Sequence, residues 1–479
     1  QFEVGGDTNS TFDFSRGGFQ GAEGYPQGAE WFIENVEEEL DAAMEYWFDR
    51  KNHLLYYIPN ASDPSTAIGN ATFVATNLKT IFSLKGSSLA VPVSNITIRG
   101  LCIRETAVTF LDVHGLPSGG DWALPYVGAI TLNNTAHVEL SNNLFTRLDG
   151  LGVILLGYNN NTCITSSEFE YLGGSAIVLW GRTNSALNEN TTRHLPWSDH
   201  PNGPDGRELD CPRHTNISHN VAHHLGIWQK QSSFVFQAIS AWSSIVANVV
   251  YNLPRAAINL NDGFCGGDII ERNLLANTCR ESGDHGPINS WDRIPYITPC
   301  ASGDAPSTVP ATRHIRGNFI LGTYSSQECI DNDDGSAHYL TTGNVLAYGD
   351  YGMKSDFGGW QNHHIGNIYP WVCSCYGEGA NDTYANNTCV VRDGYGCGYW
   401  PKYASDCMTR AGPVPIGFTT HDNGVYTREG NVSVCEAKGK PGGMYNLTTW
   451  VAMGHDRGSF ETTLPSDAEV AKWIHNMPE

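Results

Sequence analysis

The chain is poor in positive charge: 28 Lys and Arg stand against 50 Asp and Glu, a formal net charge of -22. A nucleic-acid partner needs clustered cations to neutralise phosphates, so this balance excludes one. Apolar runs are short as well. None approaches the roughly 18 residues that a membrane-spanning helix requires, so no span is expected. A charged start followed by an apolar stretch is also missing, and the first residue, Gln1, is what a processed mature protein would present. Helical periodicity is scarce beyond one early segment.

Glycine, asparagine and short β-branched runs are abundant instead. Seven times an Asn stands directly before an apolar residue: Asn143-Leu144, Asn220-Val221, Asn248-Val249, Asn273-Leu274, Asn318-Phe319, Asn344-Val345 and Asn367-Ile368. The usual spacing, roughly 25 residues, is the length of one solenoid coil. Gly152-Val153-Ile154-Leu155-Leu156 recurs as Ser175-Ala176-Ile177-Val178-Leu179, and Phe145 as Phe169. These repeats predict an all-β, right-handed parallel β-helix over residues 91–370. Asn suits each turn because it tolerates left-handed backbone and can bond an identical residue one coil away.

Residues 1–90 read as an N-terminal cap, with helical spacing between Trp31 and Trp47 through Val36, Leu40, Ala43 and Met44. A cap covers the open edge of a first coil. Residues 182–214 and 289–312 break the period and are expected to be loops walling a cleft. Residues 371–479 form a Cys-rich region with a short terminal helix near Pro465 to Met477. Its Cys373, Cys375, Cys389, Cys397, Cys407 and Cys435 lack two clean C-x₂-C pairs, so disulfides are expected over zinc, and no metal site is assigned.

The 13 cysteines suit an oxidising compartment, although their odd number leaves one over. Twelve N-x-S/T sequons point the same way: Asn9, Asn60, Asn70, Asn95, Asn133, Asn160, Asn190, Asn216, Asn381, Asn386, Asn431 and Asn446. A secreted, extracellular or cell-surface glycoprotein is expected.

Counting from the Asn of each central coil reaches Asp262, Asp284, Asp333 and Asp356 after a similar fraction of a turn, with Asp334 beside Asp333. Stacked coils lie about 4.8 Å apart, so acids one or two coils apart approach the spacings of paired glycosidase carboxylates. Nearby His285, Asn289, Trp291, Lys354 and Trp360, with Trp242, are suited to bind sugar hydroxyls and stack on rings. Asp and Asn before Gly are also ordinary turn formers, which explains the same column without chemistry. Calcium is the alternative occupant of an acidic column, in a polysaccharide lyase or epimerase whose base would be Arg255, Arg280, Arg293 or Lys354. The pairs His223-His224 and His363-His364 read as surface turns.

The stretch Pro254-Arg255-Ala256-Ala257-Ile258-Asn259 through Gly283-Asp284-His285-Gly286-Pro287-Ile288-Asn289-Ser290-Trp291 resembles the right-handed β-helix proteins of glycoside hydrolase family 141. Phe32-Ile33-Glu34-Asn35-Val36, Glu38-Glu39-Leu40-Asp41 and Leu54-Leu55-Tyr56-Tyr57-Ile58-Pro59 look similar too, and the likeness covers most of residues 30–370. It implies hydrolysis of an α-L-fucosidic or xylan-type bond in a polysaccharide or glycan, without a cofactor. Asp284 and Asp333 or Asp334 would then be catalytic, with Asp262 and Asp356 supporting them. The competing expectation is a non-catalytic structural or glycan-binding surface protein that self-assembles laterally or end to end.

Overall fold

The computed structural model describes residues 1–8, 11–19, 31–117, 122–182, 209–261, 265–283, 285–291, 311–321, 328–333, 335–349, 351–355, 359–373, 375, 381–391, 419–430, 433–435 and 444–477. They fall into two compact units, Gln20–Asn77 and a larger one comprising Gln1–Phe19 with Leu78–Glu479. The larger unit is nearly all β, and its strands stack into three parallel ladders, the arrangement of a parallel β-helix.

The first ladder starts at Phe82–Lys85 and Gly128–Ser141 and proceeds through Ile177–Trp180, Val235–Ala238, Ile258–Asn261, Ile288–Trp291 and Glu328–Asp333 to Tyr351–Ser355. A second runs from Val93–Arg99 to Thr419–His421. The third has twelve strands, from Cys102–Arg104 to Phe460–Thr463. The central coils contribute one short strand to each ladder, with alternating side chains pointing in or out, whereas Gly128–Ser141 is a single long strand that serves the first two. Inward positions repeat apolar residues in register: Ile258, Ile288, Ile330 and Met353 in the first ladder, and Ile217, Ile245, Ile270 and Ile315 in the second. All are buried to about 1% exposure or less, which makes one continuous core of stacked aliphatics.

The asparagines stack at the corner between the second and third ladders. Nδ2 of Asn248 donates to Oδ1 of Asn273 at 3.0 Å, and Asn273 does the same to Asn318 at 2.9 Å. The chain continues through Asn344 and Asn367 to Asn387 and Asn423, two rungs beyond those expected. Each Oδ1 also accepts the backbone N–H of the preceding rung's Asn, and each Nδ2 donates to a carbonyl one coil back, as Asn273 does to Ile245. Ser167 takes the place of Asn in one coil. The left-handed residue is not the Asn itself but the one before it: Ala247 (φ 55°), Arg272 (53°), Gly317 (61°), Gly343 (63°) and Gly366 (69°). Asn is therefore held there by its amide, while its predecessor makes the turn.

Two local expectations need correction. The helical spacing of Trp31 to Trp47 yields only a three-residue 3-10 turn, Glu37–Glu39, followed by a strand, Tyr46–Asp49, paired antiparallel with Leu54–Tyr57. Met44, Trp31 and Tyr46 are exposed, so no apolar face is buried to hold a helix. His223 and His364 are buried strand residues, not surface turns; His364 lies in the interior stacked on Tyr384. The terminal helix does form, over Asp467–His475, capped by Ser466. Cys375 and Cys389 form a disulfide, which removes two ligands from any zinc reading of that region. Cys211, Cys279 and Cys329 are buried free thiols, each pushed up to about 12 by burial.

Candidate functional site

The first ladder changes character along its outer face. Over the early coils the outward side chains are apolar, and Val178 and Phe236 pack with Trp122 and Leu124. Further on, the same outward row reads Asn259, Asn289, Asp331 and Lys354, each opposite the next in register. The parallel outward row reads Asn261, Trp291 and Asp333. Polar groups replace aliphatics here while the inward column Ile258, Ile288, Ile330 and Met353 stays apolar, so that column does not demand them.

Lys354 is the hub of this face. Its Nζ lies 3.2 Å from Asp333 and 3.5 Å from Asp331, two carboxylates that share a face because they are two residues apart on one strand. Asp331 is fully buried, whereas the Asp333 side chain keeps 21% of its exposure and Lys354 12%. Asp333 is thus the member of the pair open to solvent, and Asp331 holds the ammonium from below. An ammonium at this distance favours the ionised form of a carboxylate.

A second group completes the floor. Arg255, 5% exposed and lying 4.8 Å over the Trp122 ring, meets Nε2 of His285 at 2.6 Å. Since a guanidinium only donates, Nε2 accepts, and the His285 proton sits on Nδ1, directed at Ser282 Oγ 2.5 Å away. Burial first, then the charges of Arg255 and Lys354, lower the His285 imidazole to about 3, so it is neutral at physiological pH. Beneath the next corner, buried Arg313 and Asp268 pair at 2.8 Å, and Arg313 also donates to Tyr339 and to the Cys265 carbonyl.

Of the acids expected to form a column, Asp262, Asp284, Asp334 and Asp356 lie outside the described residues. Asp333 is described, and its register neighbours are Trp291 and Asn261. His285, Asn289, Trp291 and Lys354 share the face or floor with it. Trp360 pairs with Ala337 at the following corner and meets His338 edge to face at 4.6 Å. Asp331 was missed. The signal was present: with Ile330 in the core, alternation sends both Asp331 and Asp333 outward. Of the four candidate bases, Lys354 and Arg255 belong here; Arg293 lies outside the described residues. Asn259 and Asn289 are also informative, because among the described residues each buried Oδ1 lacks a hydrogen-bond partner.

On the outer face of the third ladder, Glu168, Glu170 and His223 bring ligand-type atoms within 4.8 Å of one another, a group able to hold a metal ion. No metal site was expected there.

No protein-family model and no curated protein matches the chain. Among solved structures, it is similar to a glycoside hydrolase at 13% identity and a TM-score of 0.45, over 74% of this chain and 57% of the other. It is also similar to the A-module of the mannuronan C-5 epimerase AlgE6 from Azotobacter vinelandii, at 10% identity and a TM-score of 0.37, over 80% and 84% of the two chains. The chain thus spans little more than half the length of the glycoside hydrolase.

Proposed function

We propose that this protein is an extracellular carbohydrate-active enzyme that hydrolyses a glycosidic bond, with its active site on the outer face of the first ladder. The observation that carries this reading is the Asp331–Lys354–Asp333 cluster, where a solvent-accessible carboxylate is held against an ammonium amid carboxamides and Trp291. Glycoside hydrolysis needs an ionised carboxylate as base or nucleophile and a second carboxyl group as acid. Asp333 takes the first role, and Asp331 positions Lys354. The acid is assigned to Asp284, which directly precedes His285, with Asp334 as the other candidate. Asn289 and Asn259 precede Asp331 in the same outward row and are assigned to positioning it. The sequence resemblance suggests α-L-fucosidic and xylan-type bonds as first substrates, and the sequons and the Cys375–Cys389 disulfide support a secretory origin. Among the described residues no helix is long and apolar enough to cross a membrane.

Aryl α-L-fucosides, xylo-oligosaccharides and a wider glycan panel should be screened with the wild type, Asp333→Asn and Asp284→Asn. Turnover that falls about 10²–10⁴-fold in both variants while thermal unfolding is retained is the expected result. A chelator-sensitive, ultraviolet-absorbing unsaturated product would replace hydrolysis by a lyase. Absence of turnover on every glycan would replace the enzyme by a glycan-binding or structural protein.

A further inference from the structure

We propose that Glu168, Glu170 and His223 bind a divalent transition-metal ion of the zinc type, at a site separate from the Asp333 cluster and on a different ladder. Glu168 and Glu170 are alternate residues of one strand and so share its outer face, and His223 stands opposite Glu170 in the next coil. The His223 Nε2 lies 3.4 Å from Glu168 Oε1 and 3.8 Å from Glu170 Oε2. The first is a hydrogen bond at the long end of the range and the second lies beyond it. They are close to the edge of a ligand tetrahedron, about 3.4 Å when each ligand is 2.0–2.1 Å from the ion.

The ring is also built in as a ligand's would be. His223 is 7% exposed, stacks on Tyr251 at 4.8 Å, and meets Tyr171 edge to face. Its Nδ1 contacts Nδ1 of His224 at 2.8 Å, an outer partner that fixes the imidazole's orientation. Thr146 donates to Glu170 Oε1 at 2.8 Å and leaves Oε2 toward His223. Two carboxylates balance a dication, and the imidazole favours a first-row transition ion over calcium or magnesium. Glu170 also lines an open depression of about 510 Å³ with Arg147, Asp149, Tyr171 and Ile227. The competing state is the same group without an ion, His223 keeping its 3.4 Å hydrogen bond to Glu168.

The full chain, stripped with a chelator, should be titrated with Co²⁺ and the visible spectrum followed. The expected result is one saturable set of ligand-field bands, without thiolate charge transfer, displaced by Zn²⁺. Glu168→Gln, at a half-exposed position where packing is spared, should weaken Co²⁺ binding at least about tenfold, and His223→Gln should abolish it. His421→Gln, at an exposed histidine on the second ladder, should leave it unchanged. Absence of a saturable signal, or binding undiminished by Glu168→Gln, overturns the proposal. If His223→Gln fails to fold, Glu168→Gln alone decides.

Discussion

Asparagine occurs in two columns of this molecule with opposite fates. At the corner between the second and third ladders Asn273 gives and receives four hydrogen bonds, and the same residue recurs in coil after coil. On the outer face of the first ladder Asn289 is equally buried, yet its Oδ1 has no partner among the described residues, and its row changes from Asn to Asp331 to Lys354 within two coils. A repeated and satisfied polar residue maintains the solenoid. One whose row gives way to charged groups, and whose oxygen meets no partner among the described residues, is held for something else.

Replacing Asn273 with Leu tests that contrast most severely. It strands the Asn248 N–H and an Asn248 amide hydrogen in the interior and takes a donor from the Ile245 carbonyl, and each orphan costs about 1–3 kcal/mol. A loss on the order of 3–6 kcal/mol in denaturant unfolding is expected; a loss under about 1 kcal/mol would show that the ladder is dispensable.

Asp382 marks where an acid has entered an interior amide position. It accepts from the Asn362 N–H at 2.8 Å and the Ser355 hydroxyl at 2.7 Å, and burial raises its carboxyl to about 7. A folded-state value above the unfolded one means that the native chain holds a proton the unfolded chain has released. Stability is then fullest below about 3.8 and declines as pH rises through about 7. Asp382→Asn should be neutral at low pH and stabilising at pH 8, on the order of 2–4 kcal/mol. Equal unfolding curves for the two proteins at pH 8 would contradict this.

Asn289→Ala should cost about 1 kcal/mol or less in stability, since it deletes an unsatisfied acceptor, while lowering kcat/KM about tenfold on whatever glycan is turned over. A stability loss as large as that of Asn273→Leu would erase the contrast. Smallest is Ala247→Gly. Its left-handed backbone is occupied by Gly in the coils of Gly317, Gly343 and Gly366, and relief of strain should stabilise by roughly 0.5–1 kcal/mol in the same assay.

The solenoid was legible because turn chemistry and core periodicity are local and repeat in the chain. Asn387 and Asn423 escaped only because Thr388 and Gly424 follow them, not an apolar residue. The site was less legible. Counting from the corner Asn passes through turns of unequal length, so it reached Asp333 but gave no sign of Asp331. Counting from inward Ile330 would have found both, because a strand has a fixed period of two. The His223 group was invisible for another reason: His223 and Glu170 are 53 residues apart, and their meeting depends on the register between Glu168–Glu170 and Val221–His223.

The amide chain has one more property: its links are indifferent to contour length. Successive amides are separated by 20 residues between Asn367 and Asn387 but by 45 between Asn273 and Asn318, and the same donor still meets the same acceptor. The corner works like a zip whose teeth match whatever cloth hangs between them. Segments can be spliced into the opposite side of a coil without retuning the closure, and a long allowance of this kind falls in the coil of His285, Asn289 and Trp291. The molecule is therefore free to diversify beside the Asp333 cluster while its frame stays constant.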